Sequence, residues 1–131
     1  MPKSVVDIRK RNSLQELCAE ARSMRDQSKG RIVSFSPKVF IPLTRLCRDF
    51  CSYCVFRQSP QQAESLYMNP EEVLEVARAG QQAGCREALF VLGERPEQRY
   101  PEARKWLEDH GFTSTIHYLK AMCELVLELR P

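Results

Sequence analysis

The chain has no long apolar run. No stretch approaches the ~18 consecutive residues that a membrane-spanning helix requires, and the strongest one, Ala88–Leu92, has the length of a strand. No membrane partner is therefore expected. Met1–Asp7 lack the apolar core of a secretory leader, which predicts a cytoplasmic location. Charge of one sign is also scarce, with a formal net charge of only +3. The positive excess gathers in residues 1–31 around Arg9, Lys10 and Arg11, without interleaved aromatics. It reads as a solvated face, and no nucleic-acid partner is expected. There is no internal repeat of useful length, and no second cysteine pair at the spacing of a closed structural zinc site.

What is present is ordinary in bulk and unusual in one place. A chain of 131 residues with 43% hydrophobic and 28% charged residues can bury a real core, so global disorder is not expected. Six cysteines in a reducing compartment point to metal or catalysis before disulfides. Cys18, Cys85 and Cys123 are isolated and are expected to be small buried hydrophobes. Cys47, Cys51 and Cys54 are different: they follow a C-x3-C-x2-C spacing directly after the apolar stretch Val39–Leu43.

Local signals place this motif in an alternating pattern. Ser13 and Glu16 form a capping-box signature for a helix running to about Ser28 and stopped by Gly30, with Leu14, Leu17, Cys18, Ala21 and Met24 as its buried stripe. Lys38–Thr44 reads as a buried strand, with Pro42 tolerated near its end. Residues 45–68 form a long excursion carrying all three clustered cysteines. Asn69, Pro70, Glu71 and Glu72 open a second helix that ends near Ala83, with Gly84 in the left-handed position and Gly80 allowing close approach to a sheet. Glu87–Leu92 is the second strand, broken by Gly93–Pro96. A helix over Pro101–Asp109 and another opening at Ser114 follow, the last turning Ile116, Leu119, Met122, Cys123, Val126 and Leu127 inward.

Strand, crossover helix and strand imply parallel, right-handed pairing. Parallel sheets are buried on both faces and usually have more than two strands. The chain is thus expected to be the truncated front portion of a larger α/β domain. Sites in such folds gather outside the carboxyl ends of the strands. The cysteine loop leaves the end of the first strand and Glu94 the end of the second, so the two should face one another.

Three thiolates on one loop converge on a soft metal centre that is one ligand short. An iron–sulfur cluster with an open iron is the favoured reading. Zinc would need a fourth ligand from Cys85, Cys123, His110 or His117, and unmetallated thiols remain as a third reading.

Cys47-Arg48-Asp49-Phe50-Cys51-Ser52-Tyr53-Cys54 resembles the cluster motif of the radical S-adenosylmethionine (radical SAM) enzymes. Phe40–Thr44 ahead of it, Leu92–Glu97, and the tail from Gly111 to Leu125 are similar to the deazaflavin-forming (FO synthase) branch of that family. The resemblance implies the first two βα units of a partial (β/α)6 barrel. Residues 1–34 would be an N-terminal helical extension, and residues 35–131 an incomplete core domain. It further implies a [4Fe-4S] cluster and S-adenosyl-L-methionine as cofactors. The reaction would be a lyase step that closes the FO chromophore through a 5′-deoxyadenosyl radical. The substrate would be an adduct of tyrosine and a ribityl-aminouracil, with loss of ammonia. A companion radical SAM subunit or domain supplying the adduct and an external electron donor are the expected partners.

The same resemblance implies residue roles. Cys47, Cys51 and Cys54 would ligate three irons. Tyr53 would lie near the adenine, with loop packing as its alternative. Glu94 would receive the cofactor's ammonium, against a merely solvated anion. Gly93 would admit the methionine moiety, against a plain turn glycine, while Leu92 stands where the wider superfamily often has glycine. Arg48 and Asp49 would pair with each other or tune the cluster, whereas His110 and His117 read as surface or packing residues. The rivals are another radical SAM enzyme, of the futalosine route or like biotin synthase, and a non-catalytic iron–sulfur or zinc module. The 131-residue chain alone is expected to be inactive.

Overall fold

The computed structural model describes residues 13–129. The basic triplet at Arg9–Arg11 lies outside the described residues. The chain divides into two compact units, residues 1–35 and 36–131.

The described part of the first unit holds helix α1, Leu14–Lys29. The Ser13 side chain accepts the Glu16 amide at its start, and Gly30 terminates it with φ 69°. The predicted stripe is not buried: Leu14 is 75% and Met24 57% exposed, Cys18 is exposed, and no α1 residue is buried. Among the described residues of this unit, α1 has no second helix or strand to pack against.

Among its described residues the second unit holds a two-stranded parallel sheet and three α-helices. Strand β1 is Lys38–Thr44 and strand β2 is Glu87–Leu92, paired in parallel from Lys38↔Glu87 to Thr44↔Leu92. The register shifts between Pro42 and Thr44, next to the residue that has no amide to offer the ladder. At the other end Lys38 pairs with Glu87, which also accepts from Ser36, and these contacts hold the Glu87 carboxyl below its usual range.

Helix α2, Pro70–Gln82, opens with a complete capping box between Asn69 and Glu72. It crosses β1 closely because Gly80 has no side chain. A Cβ there would lie 2.5 Å from the Val39 Cβ. A 3-10 turn at Pro96–Gln98, absent from the sequence reading, connects β2 to helix α3, Pro101–Asp109. Helix α4, Thr115–Leu127, is capped by the Ser114 side chain, which accepts the His117 amide.

The core joins Ile41, Leu43 and Leu46 to Val73, Leu107 and Met122. Aromatics complete it: the Tyr67 and Trp106 rings stack at 4.7 Å and the Tyr118 edge meets Trp106 at 5.1 Å. The inward face of α4 differs from expectation. Thr115, Tyr118 and Met122 are buried, while Ile116 and Leu127 are 56% and 52% exposed. The reason is polar: Thr115 Oγ1 donates to Glu97 at 2.6 Å and bonds Tyr67 Oη at 2.7 Å, which rotates the helix about that anchor. His110 stacks on Trp106 at 3.9 Å and His117 contacts Thr113 and Phe112, so both histidines serve packing. Among the described residues no helix is long and apolar enough to cross a membrane.

Candidate metal centre

The cysteine loop is an excursion with tied ends. It leaves β1 at Thr44, which is 2% exposed and whose Oγ1 accepts the Leu46 amide and donates to the Leu66 carbonyl at 2.7 Å. Leu46 is fully buried and anchors the outgoing limb. The Gln58 amide reaches the Arg45 carbonyl at 2.9 Å, and the Met68 amide reaches that of Leu43 at 2.9 Å. The two limbs therefore lie side by side, and the residues between them are presented beyond the sheet's carboxyl end.

Cys47 and Glu94 do face one another. The Glu94 amide donates to Cys47 Sγ at 3.2 Å, the Asp49 amide reaches the same sulfur at 3.4 Å, and the Arg48 amide donates to the Glu94 carbonyl at 2.9 Å. Gly93 makes this approach feasible: a Cβ there would sit 1.9 Å from the Leu46 carbonyl oxygen and 2.6 Å from Cys47 Cβ. The glycine is thus required by the chain's own packing, whatever else approaches it.

Charge surrounds the Glu94 carboxylate, which lies 3.8 Å from Arg48 Nη2 and 3.4 Å from Arg95 Nε. Arg48 also pairs with Asp49 at 3.5 Å and donates to the Gln98 side chain. Arg95 adopts a left-handed conformation, φ 34°, which turns the chain sharply after Glu94 into the buried Pro96. The expected pairing of Arg48 with Asp49 is present and extends to Glu94.

The other two cysteines stand apart. Cys51 and Cys54 are exposed and share a turn in which the Cys54 amide donates to the Cys51 carbonyl at 3.1 Å. Among the described residues no group of three or more metal-binding side chains is gathered for an ion. The structure thus joins Cys47 to Glu94 and Gly93 and leaves Cys51, Cys54 and Tyr53 free in solvent. Tyr53 is 86% exposed, so packing within the loop does not account for it. Of the isolated cysteines, Cys85 and Cys123 are half-buried, and burial followed by the neighbouring Glu124 pushes the Cys123 thiol up.

Two features escaped the sequence reading. Phe50, between the first two cysteines, lies under two guanidinium groups, those of Arg57 and Arg99. A cavity of about 540 Å³ also opens beside the returning limb, lined by Thr44, Arg45, Gln58, Gln62 and Glu72 among others, but by none of the three clustered cysteines. Neither has a signal in local spacing, because both join residues far apart in the chain.

The pattern described as the Radical SAM superfamily matches residues 41–121, a span that begins in β1, includes the whole cysteine loop and ends in α4. The chain belongs to the radical SAM superfamily. The chain is 54% identical over 97 residues to 7,8-didemethyl-8-hydroxy-5-deazariboflavin synthase of Methanopyrus kandleri, covering 74% of this chain and 29% of that protein. It is 48% identical over 126 residues to an FO synthase of Nocardia farcinica, and 48% identical over 131 residues to one of Mycobacterium tuberculosis. Each of these two alignments covers 89% of this chain and 15% of the relative. The chain thus spans under a third of the length of the curated relatives named here. No solved structure matches it.

Proposed function

We propose that this chain forms the cluster-binding front of a radical SAM enzyme of the FO synthase type. Cys47, Cys51 and Cys54 would hold three irons of a [4Fe-4S] cluster. The fit rests on the donor set and on Cys47: three soft thiols lie on one tied loop, and the first sulfur already accepts two backbone amides. Amide bonds of this kind stabilise a thiolate and tune its cluster. The other two thiols are accessible to incoming iron. The chemistry such a cluster supplies when bound, with S-adenosyl-L-methionine at its open iron, is one-electron cleavage of a sulfonium to a 5′-deoxyadenosyl radical.

The chain's own residues would then orient the cofactor. Glu94 presents a half-exposed carboxylate beside Cys47, suited to an ammonium group. Receiving one requires exchange of its contacts to Arg48 and Arg95, both at solvent-exposed positions where an ion pair is weak. Tyr53 offers an exposed ring on the same loop for the adenine. The branch assignment rests on the relatives' names, and with it go the tyrosine-derived adduct as substrate, release of ammonia, a companion radical SAM subunit or domain, an external electron donor and a cytoplasmic setting. In the same reading residues 35–131 are part of a (β/α)6 barrel and residues 1–34 an extension.

The 131-residue chain alone is expected to form no product. Among the described residues its sheet has two strands, and Phe40 and Leu89, paired across them, are 62% and 42% exposed. A carbon radical needs a site closed to water and side reactions.

The observation that carries the reading is the Cys47–Glu94 juxtaposition at the carboxyl edge of a parallel sheet. Anaerobic reconstitution with iron and sulfide, followed by Mössbauer and paramagnetic resonance spectroscopy, tests it. The expected result is a [4Fe-4S] signal that changes on addition of S-adenosyl-L-methionine. A tetrahedral zinc centre, or a cluster indifferent to that cofactor, overturns it. Product mass from the complete enzyme separates the FO branch from the futalosine and biotin reactions.

A further inference from the structure

We propose that Arg99 is a positioning residue for the cysteine loop, gripping Phe50 jointly with Arg57 and holding the backbone at Arg48. Phe50 lies between Cys47 and Cys51 and is 61% exposed, so exclusion of water does not hold its ring in place. Cations do. The guanidinium carbons of Arg57 and Arg99 lie 3.7 and 4.0 Å from the ring centroid, well inside the range of cation–π attraction.

Arg99 makes a second contact two residues earlier, where its Nη1 donates to the Arg48 carbonyl at 3.1 Å. Its neighbour Gln98 accepts from the Arg48 side chain. The stretch between the first two cysteines is thus held by one short segment after β2.

That segment is itself fixed. The Arg99 amide donates to the carbonyl of buried Pro96 at 3.0 Å. Glu97 is fastened to Thr115 on α4, and its carbonyl accepts two bonds from Arg104 on α3. A rigid platform therefore presents one forked cation to a loop that lacks helix, strand and core of its own between Cys47 and Cys54. Each contact is individually weak at an exposed site, and their convergence on Arg48 and Phe50 confines the path from Cys47 to Cys51.

A second consequence rests on the cluster reading above. A thiolate-bound iron–sulfur cluster carries net negative charge, and net charge near a cluster sets its potential. Arg99 and Arg57 are cations fixed beside the ligand loop, so they favour the reduced state. Lysine at position 99 would keep the charge and lose the planar fork that stacks and donates at once.

The experiment uses Arg99→Ala, Arg99→Lys and Phe50→Leu in the 131-residue chain. Amide hydrogen exchange is read first on the metal-free protein. Arg99→Ala and Phe50→Leu are expected to speed exchange several-fold over residues 47–54, with Arg99→Lys intermediate and β1 and α3 unchanged. Exchange over 47–54 equal to wild type in Arg99→Ala overturns the proposal. So does faster exchange spread evenly over the molecule, which marks a general loss of stability.

Reconstitution is read second. Arg99→Ala should lose iron to a chelator faster than wild type and show a more negative midpoint potential. Arg99→Lys should keep the wild-type potential while still losing iron faster. Unchanged iron loss in both variants overturns the positioning role, and an unchanged potential in Arg99→Ala overturns the electrostatic one. If wild type takes up no iron, the cluster reading fails by itself, and the exchange measurement still judges the grip.

Discussion

The Glu94 amide donates to Cys47 Sγ at 3.2 Å while the Arg48 amide donates back to the Glu94 carbonyl at 2.9 Å. This reciprocal pair ties the start of the cysteine loop to the end of the neighbouring strand. It places Glu94, which the proposed function gives to an ammonium group, beside the first sulfur of the motif. The geometry depends on Gly93, since any side chain there would occupy the space of the Leu46 carbonyl.

Gly93→Ala should therefore break the site as well as the fold. Forcing the two loops apart is expected to cost about 1–3 kcal/mol, read as a lower urea midpoint, and iron uptake should fall with it. Gly84→Ala is the contrast. Gly84 has φ 80° with nothing near its would-be Cβ, so the strain of about 1–2 kcal/mol should lower stability and leave iron per folded chain unchanged.

Serine substitutions should sort five of the six cysteines into two classes. Cys47→Ser, Cys51→Ser and Cys54→Ser should each abolish a stable [4Fe-4S] spectrum, because two thiolates cannot retain such a cluster. Cys85→Ser and Cys123→Ser, half-buried away from the loop, should keep it. Iron and sulfide content with paramagnetic resonance checks both statements.

Gly80→Ala should destabilise the chain by about 1–3 kcal/mol through overpacking, because its Cβ would meet the Val39 side chain at 2.5 Å. Val39→Ala in the same molecule should recover part of that loss. A double-mutant cycle by chemical denaturation measures the coupling, and additive effects would show that α2 does not rest on β1 through this contact.

Alkaline pH should unfold the chain through its buried phenols. Burial raises Tyr67 well above the usual tyrosine value, and burial followed by Glu72 and Glu71 pushes Tyr118 up to about 12. A raised folded value means that the folded state holds the proton more tightly. The stabilisation is complete below an unfolded value of about 10 and is lost as pH rises through the folded values. Tyr67→Phe and Tyr118→Phe should each flatten the fall in denaturation midpoint above pH ~10. The Tyr67 variant should also lose about 1 kcal/mol at neutral pH, because its hydroxyl bonds Thr115 at 2.7 Å.

Much of the second unit was legible locally. Both strands, the caps at Asn69 and Ser114 and the glycine stops follow from backbone chemistry that acts within a few residues. The C-x3-C-x2-C spacing and Glu94 were legible for the same reason, as strand ends followed by chemically distinctive residues. The exposure of the apolar stripe of α1 was not, because amphipathic period shows which face is able to bury and says nothing of whether a partner is there. The facing of α4 escaped for a different reason. A hydrogen-bond chain from Glu97 through Thr115 to Tyr67 outweighs the apolar pattern, and its members lie far apart in sequence.

Local sequence supplies the ingredients of the site: three cysteines on one loop after a parallel strand, with an acid after the next. How those parts meet depends on contacts between distant segments. Gly93 admits the Leu46 carbonyl, Glu94 turns its amide to Cys47, and Arg99 lays a cation on Phe50. Each is a contact between segments about fifty residues apart, and contacts of that separation exist only once β1 and β2 have paired.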